Sequence, residues 1–526
     1  MNTTNARTTM TISYQTQGGY VYGTVCTVRR EGKKVVKDYG ASLGRLIDKD
    51  RLVFYTRERG LYVYDPVNDA YLPPPDDVEP PKRKSRLKVP ARVVSLTFGD
   101  VYLVDQFARS LQFYDVLSNA YADRIDSVKA LMSFYILTPL SNRYAGDWLE
   151  HSFGRFLFPD ARLSSSTTSK VLKYVGEPSR QRQFFADYFA WFKNTFQDSD
   201  LGNILIDSTG LPNSIHFSLT AVSNHNGDIN NEVRLIYVVQ QSTGMPIFCR
   251  AIPGNIIDVN TLKRTLLELK ANGIDTNYAI TDAGYLSEEN VHAFYSSGVS
   301  FLVRLQPNRK LYKQLIAEHL PSIKTEGKLV KQRERLIRVK KVACCLNEKT
   351  TPKGRIVEKG YPAYAYVCVD EQRVALEQLD LIKKVAEGKV DVDNYEKTLA
   401  EKGVFVLVSK RSIDPGKVIE LYYTRQEIEQ VFDLGKNYSG MLPLSIQTEE
   451  TFRGHMVLTF MATILIKALM KKLSGTHYPI EPTLSNLAAH SCSVYDDYVI
   501  TSEPNKLARQ AYQAAGIEYP VQVFIK

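Results

Sequence analysis

Apolar and polar residues change their spacing several times along this chain, and each change marks a different kind of element. Residues 12–65 alternate with a period of two. Tyr20–Val28, Leu52–Tyr55 and Leu61–Tyr64 read as strands, with a turn at Glu31-Gly32 ahead of Val35-Val36. Pro73–Pro75 and Pro80-Pro81 then interrupt regular structure, and Lys82–Lys88 makes the segment basic. This is a linker whose basic half either stays solvated or touches a polyanion. From about 98 to 195 the spacing turns helical. Ser164–Thr168 supplies N-caps for a helix through Val171, Leu172 and Val175, and Gly176-Glu177-Pro178 breaks it. Phe184, Phe185, Tyr188, Phe189 and Phe192 then recur at helical intervals, so the two helices fit either a helix-turn-helix or a packed hairpin.

Beyond residue 200 short apolar strands alternate with helices. Asn203–Ile206 ends on Asp207. Glu232–Gln240 and Met245–Ile252 form two more strands around the turn Ser242-Thr243-Gly244. A helix from Val259 to about Lys270 follows, with Asp258 and Thr261 at its start in an N-cap arrangement. Tyr278–Thr281 is a strand ending on Asp282, Ser287 caps the next helix, and Ser300–Leu305 is a further strand. This order predicts a mixed α/β sheet with carboxylates at strand ends. Residues 306–403 break the rhythm and read as an insertion within the α/β domain. Lys328–Lys341 is a basic strand-like run with Lys331, Arg333 and Arg335 on one face, Pro362–Val369 is a strand, and a charged helical stretch runs from Glu371 to about Lys402. The sheet resumes at Val404–Val408.

Tyr422–Lys436 reads as one helix with a segregated polar face. Taking Arg425 as zero at about 100° per residue, Glu429 falls near 40°, Lys436 near 20° and Tyr422 near 60°. Ile428, Val431 and Phe432 occupy an arc from about 240° to 340°, and Glu427, at about 200°, points elsewhere. A carboxylate, two cations and a phenol on one face suit a metal ion and a phosphodiester backbone. Met456–Met470 is apolar but contains Lys467 and falls short of the roughly 20 residues a bilayer needs, so it is expected to be a buried core helix.

Length divides these patterns into units: 526 residues exceed one compact core. The expected division is a β-rich module (1–72), a Pro/basic linker (73–90) and a helical region able to bind DNA (91–199). An α/β core (200–305 and 404–475), its insertion (306–403) and a C-terminal helical region (476–526) complete it. A hydrophobic fraction of 44% and a charged fraction of 24% exclude wholesale disorder. The formal charge of +10 favours a polyanionic partner. Cys26, Cys249, Cys344, Cys345, Cys368 and Cys492 form no CxxC pair, which fits reduced thiols in a cytoplasmic protein. The N-terminus has no secretory pattern. His225, in a polar loop, is expected to be solvated, and His455 either packs or touches DNA.

Asp207, Asp282 and Glu429 together make a candidate oxygen-ligand site for Mg²⁺ or Mn²⁺, the kind of site that phosphodiester displacement requires. Tyr422, Arg425, Glu429 and Lys436 have the spacing of the Tyr-Arg-Glu-Lys signature, and the chain here resembles insertion-sequence transposases of the DDE type. Asp207 in Ile-Asp-Ser-Thr-Gly and Asp282 in Thr-Asp-Ala-Gly-Tyr resemble that family's first and second catalytic aspartates. The likeness spans about residues 200–475. It implies an RNase H-like core interrupted by a β-rich insertion, and two divalent ions held by Asp207, Asp282 and Glu429. It implies cleavage of double-stranded DNA at terminal inverted repeats, strand transfer by the freed 3′-OH into target DNA, and a homodimer in a prokaryotic, nucleoid-associated setting. Tyr422, Arg425 and Lys436 would hold phosphates near a flipped terminal base, with Lys331, Arg333 and Arg335 as further DNA contacts.

The chain departs from the family in one respect. Members of the group stack the flipped base on a tryptophan of the insertion, whereas the tryptophans here are Trp148 and Trp191. Tyr361, Tyr364 and Tyr366 are the insertion's candidate substitutes. A related endonuclease without strand transfer, and a transposase-derived DNA-binding repressor, are the alternative functions; three intact carboxylates argue against the repressor.

Overall fold

The computed structural model describes residues 9–81, 94–196, 201–256, 260–350, 356–389, 399 and 401–525, without 18, 32–33, 216, 224–228, 400, 438, 440, 443, 445 and 477–478. Asp258, His225 and Lys82–Lys88 therefore lie outside the described residues. The chain divides into two compact units, residues 1–90 and 91–526.

In the first unit, the period-two alternation becomes an antiparallel meander. Its strands β1 (Thr9–Gln17), β2 (Tyr20–Glu31), β3 (Lys34–Asp48), β4 (Val53–Thr56), β5 (Gly60–Asp65) and β6 (Ala70–Leu72) pair in sequence order. Val25, Leu43, Phe54, Tyr62 and Tyr64 form its core.

The second unit opens with β7 (Val94–Thr97) and the helices α1 (Gly99–Ser110), α2 (Phe113–Tyr121), α3 (Ile125–Leu137), α4 (Ala145–His151), α5 (Gly154–Leu157), α6 (Ser165–Val175) and α7 (Pro178–Thr195). Pro178 starts α7, where its missing N–H is harmless. The aromatic positions of α7 pack rather than face solvent: Phe184, Phe185 and Tyr188 all contact Phe460. Within α1, the Asp100 carboxylate is buried and accepts the Val101 N–H at 2.7 Å. Burial pushes its pKa up to about 6. The stability lent by the neutral acid is thus full below about 3.9 and lost as pH rises through about 6. Asp100→Asn, which keeps the acceptor and removes the charge, is expected to raise stability at pH 8 by about 1–3 kcal/mol and to change nothing at pH 3.5. Denaturant midpoints at the two pH values check this.

One large mixed sheet dominates the rest. Its strands are β8 (Asn203–Pro212), β9 (Ala221–Ser223), β10 (Asn230–Gln240), β11 (Pro246–Pro253), β12 (Tyr278–Thr281), β13 (Ser300–Leu305), β14 (Lys328–Gln332), β15 (Arg335–Leu346), β18 (Tyr361–Asp370) and β19 (Val404–Ser409). The short pair β16 (Lys349–Thr350) and β17 (Ile356–Glu358) stands apart. The order is β11-β10-β8-β12-β13-β19-β18-β15-β14, with β9 beside β10. β11 and β8 each run antiparallel to β10 between them, whereas β12 runs parallel to both β8 and β13. Apart from the short pair β16 and β17, the strands of residues 306–403 extend this sheet, because β18 pairs directly with β19 from Val369↔Val404 to Tyr364↔Ser409. The basic run Lys328–Lys341 is also not one strand. It folds back as a hairpin at Arg333-Glu334, with Arg333 in the left-handed region at φ 55°.

Helices α8 (Leu262–Ala271), α9 (Glu288–Ser296), α10 (Lys310–His319), α11 (Ile323–Glu326) and α12 (Glu371–Ala386) connect these strands. After β19 come α13 (Pro415–Tyr423), α14 (Gln426–Asn437) and the long α15 (Glu449–Leu473). Met456–Met470 lies inside α15 and is almost wholly buried, as its composition predicts. Among the described residues no helix is long and apolar enough to cross a membrane. The C-terminal region is only partly helical. α16 (Ile480–Ala488) and α17 (Lys506–Ala515) accompany β20 (Ser491–Val494), β21 (Tyr498–Thr501) and β22 (Gln522–Phe524), which form a four-stranded sheet with β7. His455 is packed, with Nδ1 2.7 Å from the Tyr135 hydroxyl. All six cysteines are free thiols.

Candidate active site

Two aspartates are brought level by strand register. β8 and β12 run parallel with Ile206 beside Thr281, so one residue further on Asp207 and Asp282 lie side by side on one face. Neighbouring strands are about 4.8 Å apart. Asp207 also sits opposite Tyr237 of β10, against which Phe432 of α14 packs edge-on at 5.7 Å. α14 therefore covers the face that carries both acids, held there by its apolar arc of Ile428, Val431 and Phe432.

The guanidinium of Arg425 spans the pair. Its Nη2 donates to Asp207 Oδ2 at 3.1 Å and its Nη1 to Asp282 Oδ1 at 3.0 Å. Nη1 also lies 3.2 Å from the Tyr422 hydroxyl. Asp207 accepts the Ser208 N–H at 2.8 Å. Burial pushes the Asp207 carboxyl up to about 6, against the opposing charge of Arg425. Burial likewise raises the Tyr422 phenol. Arg425 itself is pulled down by burial, but Asp207, Tyr422 and Asp282 outweigh this, and its pKa is raised.

Tyr422–Lys436 is not the single helix its wheel assumes. α13 stops at Tyr423 and α14 starts at Gln426. The Thr424 hydroxyl donates to the Leu421 carbonyl, and the junction tightens to three-residue bonds, with Arg425 N–H on Tyr422 O and Glu427 N–H on Thr424 O. Tyr422 and Arg425 stay adjacent across the break. Lys436 does not join them: it lies on the expected side, but 11 residues on is about 16 Å along a helix axis. There burial lowers its pKa, opposed by Asp433 and Glu232. Glu429 is exposed on the first turns of α14. Among the described residues no three acidic or metal-binding side chains converge closely enough to hold an ion. The two aspartates do fit a hard divalent cation, since one positive group already bridges oxygens from both.

The basic residues of the hairpin separate. In the register of β14 and β15, Gln332 faces Arg335 and Lys331 faces Leu336, so Lys331 and Arg335 point to opposite faces. Arg335 reaches the Tyr423 hydroxyl at 3.1 Å and Asp370 at 3.4 Å, while Lys331 and Arg333 are exposed. Arg333 and Gln332 line a polar cleft of about 470 Å³ with Tyr423, Thr424, Glu427 and Lys467. Of the three tyrosines, Tyr366 is fully buried and Tyr361 stacks on Tyr295 at 4.5 Å, which leaves Tyr364 as the one neither fully buried nor stacked among the described residues.

Sequence reasoning missed the partner of Glu427. Its carboxylate accepts from Lys467 Nζ at 2.7 Å, and Gln430 shares that ammonium at 2.8 Å. A lone lysine inside the apolar run 456–470 is the signal for such a pair. Because Lys467 is buried and Glu427 partly hydrated, Glu427→Gln is expected to lower stability by about 1–2 kcal/mol, less than for a wholly buried pair. Catalysis per folded molecule should change less than about threefold; a larger loss of activity at unchanged stability would contradict the assignment. Glu232, buried with one oxygen unpartnered among the described residues, was also missed. By strand alternation from Tyr237 it lies on the face opposite Asp207.

Residues 200–465 match the family described as Transposase DDE domain. The chain belongs to this family. It is thus an enzyme, a DDE-type transposase, and both aspartates, Arg425 and the whole of α14 lie inside the matched span. Among solved structures the transposase is similar to one titled "Cryo-EM structure of piggyBac transposase synaptic complex with hairpin DNA", at 9% identity and a TM-score of 0.37, over 69% of this chain and 70% of that one. No curated protein matches it.

Proposed function

We propose that this transposase cuts double-stranded DNA at the terminal inverted repeats of an insertion sequence and joins the freed 3′-OH to target DNA, acting as a homodimer on two ends. The observation that carries the reading is the level placement of Asp207 and Asp282 on neighbouring strands, both gripping one cationic group. An RNase H-like core is supported by the run β11-β10-β8-β12-β13, antiparallel across its first three strands and parallel across its last. Asp207, Asp282 and Glu429 would hold two Mg²⁺ or Mn²⁺ ions, with Glu429 entering from α14. Ions held there would supply activation of the attacking hydroxyl and charge neutralisation at the leaving oxygen. Arg425 and Tyr422 lie beside the acids and would orient the phosphate, Arg425 through its planar fork of donors. Lys436, about three turns beyond Arg425, and Lys331, Arg333 and Arg335 on the hairpin would contact the DNA backbone farther from the reacting phosphate.

The test uses the DNA flanking the gene, incubated with purified protein and Mg²⁺. Nicking at the repeat followed by 3′-end joining to a second duplex is the expected result. Nicking without joining would make the protein an endonuclease, and binding without nicking would make it a repressor.

A further inference from the structure

Arg425 sits where the proposed reaction needs a metal ion. Its two terminal nitrogens lie 3.1 and 3.0 Å from oxygens of Asp207 and Asp282. A Mg²⁺ ion bound by those oxygens at about 2.1 Å would lie against the guanidinium, and two cations cannot share the same carboxylates at such range without strong repulsion. The third nitrogen of the group is unmet: Arg425 Nε is buried and has no hydrogen-bond partner among the described residues. With its terminal nitrogens on Asp207, Asp282 and the Tyr422 hydroxyl and its Nε idle, the guanidinium is poised for a ligand that takes two donors at once. A phosphodiester does so, accepting Nε and one terminal nitrogen side by side.

We propose that Arg425 gates metal loading. In the free protein its guanidinium holds Asp207 and Asp282 as a resident cation and competes with divalent ions. When a DNA phosphate arrives, the guanidinium turns onto it and the carboxylates are released to the metal. This inference rests on the metal-dependent reading above and adds an order to it: DNA first, then metal. Nuclease competence is thereby confined to protein already on its substrate. Because binding linkage is reciprocal, metal must tighten DNA binding by the same factor by which DNA tightens metal binding.

The experiment measures free Mn²⁺ by electron paramagnetic resonance during titration of the full-length chain, with and without a pre-cut duplex of the element end, which leaves no bond to cleave. For the unmodified protein, DNA should tighten Mn²⁺ binding by roughly tenfold or more, and Mn²⁺ should tighten DNA binding equally at constant ionic strength. Arg425→Gln should bind Mn²⁺ roughly tenfold more tightly than the unmodified protein in the absence of DNA, with most of the coupling gone. Equal Mn²⁺ affinity with and without DNA in the unmodified protein overturns the gate, and that comparison needs no variant to fold. An Arg425→Gln protein that melts normally and retains the full coupling overturns it as well. Asp207→Asn/Asp282→Asn separates the two claims. If this double variant binds Mn²⁺ as well as the unmodified protein, the carboxylate reading itself fails. If it loses Mn²⁺ while Arg425→Gln changes nothing, the gate alone is wrong.

Discussion

Asp207→Ala, Asp282→Ala and Glu429→Gln are each expected to reduce metal-dependent cleavage of end DNA by roughly 10³-fold or more, because each removes several kcal/mol of charge stabilisation from the reacting phosphate. DNA binding should persist, since the proposed duplex contacts are cationic side chains and not these carboxylates. The three variants differ in their structural side effects. Asp282 is nearly half exposed, so its loss frees one arm of Arg425 at the edge of the site. Asp207 is mostly buried against the same guanidinium, and its removal leaves a buried charge short of one partner. Asp207→Asn, which keeps the shape and an acceptor oxygen, is therefore the cleaner substitution there. Glu429 has no ion pair among the described residues, so its change should leave the thermal midpoint untouched. Cleavage is read on a labelled duplex and binding by gel shift. Full activity in any of the three variants would remove that residue from the reaction.

Gly454→Ala is expected to be the most damaging substitution away from the site. Gly454 on α15 and Gly176 at the end of α6 lie where two helices meet backbone to backbone. A Cβ on Gly454 would overlap the carbonyl of Leu172, and one on Gly176 would overlap the carbonyl of Glu450 and crowd the amide of Gly454. The obstacles are main-chain atoms of a packed helix, which cannot rotate aside as a side chain does. Alanine gains about 1 kcal/mol of helix propensity over glycine. Overpacking ordinarily costs about 1–3 kcal/mol, and a main-chain collision at a buried crossing should exceed that range. The expected outcome is a fall of more than about 3 kcal/mol in unfolding free energy, or insoluble protein at 37 °C. A denaturant midpoint equal to that of the unmodified chain would show that the helices are not in this close contact.

Much of the catalytic sheet was legible from local pattern. The strands at 203–206, 232–240, 278–281, 300–305 and 404–408 announce themselves by β-branched, apolar runs, and all five are present. Asp207 and Asp282 stood out because each interrupts such a run with a charge. The apolar helix around Met456–Met470 was legible from its length, and its one lysine marked an ion pair that sequence could not complete. The hairpin at Arg333-Glu334 was missed because neither residue is a glycine or asparagine, the usual sign of a left-handed turn position. The C-terminal strands were missed because each has only three or four residues, too few for a period to emerge.

The sequence by itself determined which side chains are present at strand ends and which angular face of a helix they occupy. These are local properties, set by alternation along a strand and by the turn angle of a helix. What only the tertiary structure decided is everything that depends on relative displacement. Register between β8 and β12, elements separated by more than 60 residues, places Asp207 level with Asp282. Pairing of β18 with β19 turns an apparent insertion into a continuation of the sheet. Three-residue backbone bonds at Arg425 and Glu427 mark a junction in the helix that the wheel assumes to be continuous. Distance along the axis, which an angular projection discards, separates Lys436 from Arg425. The same packing lays Arg425 across two carboxylates 218 and 143 residues away in the chain, an arrangement no periodicity in the sequence encodes.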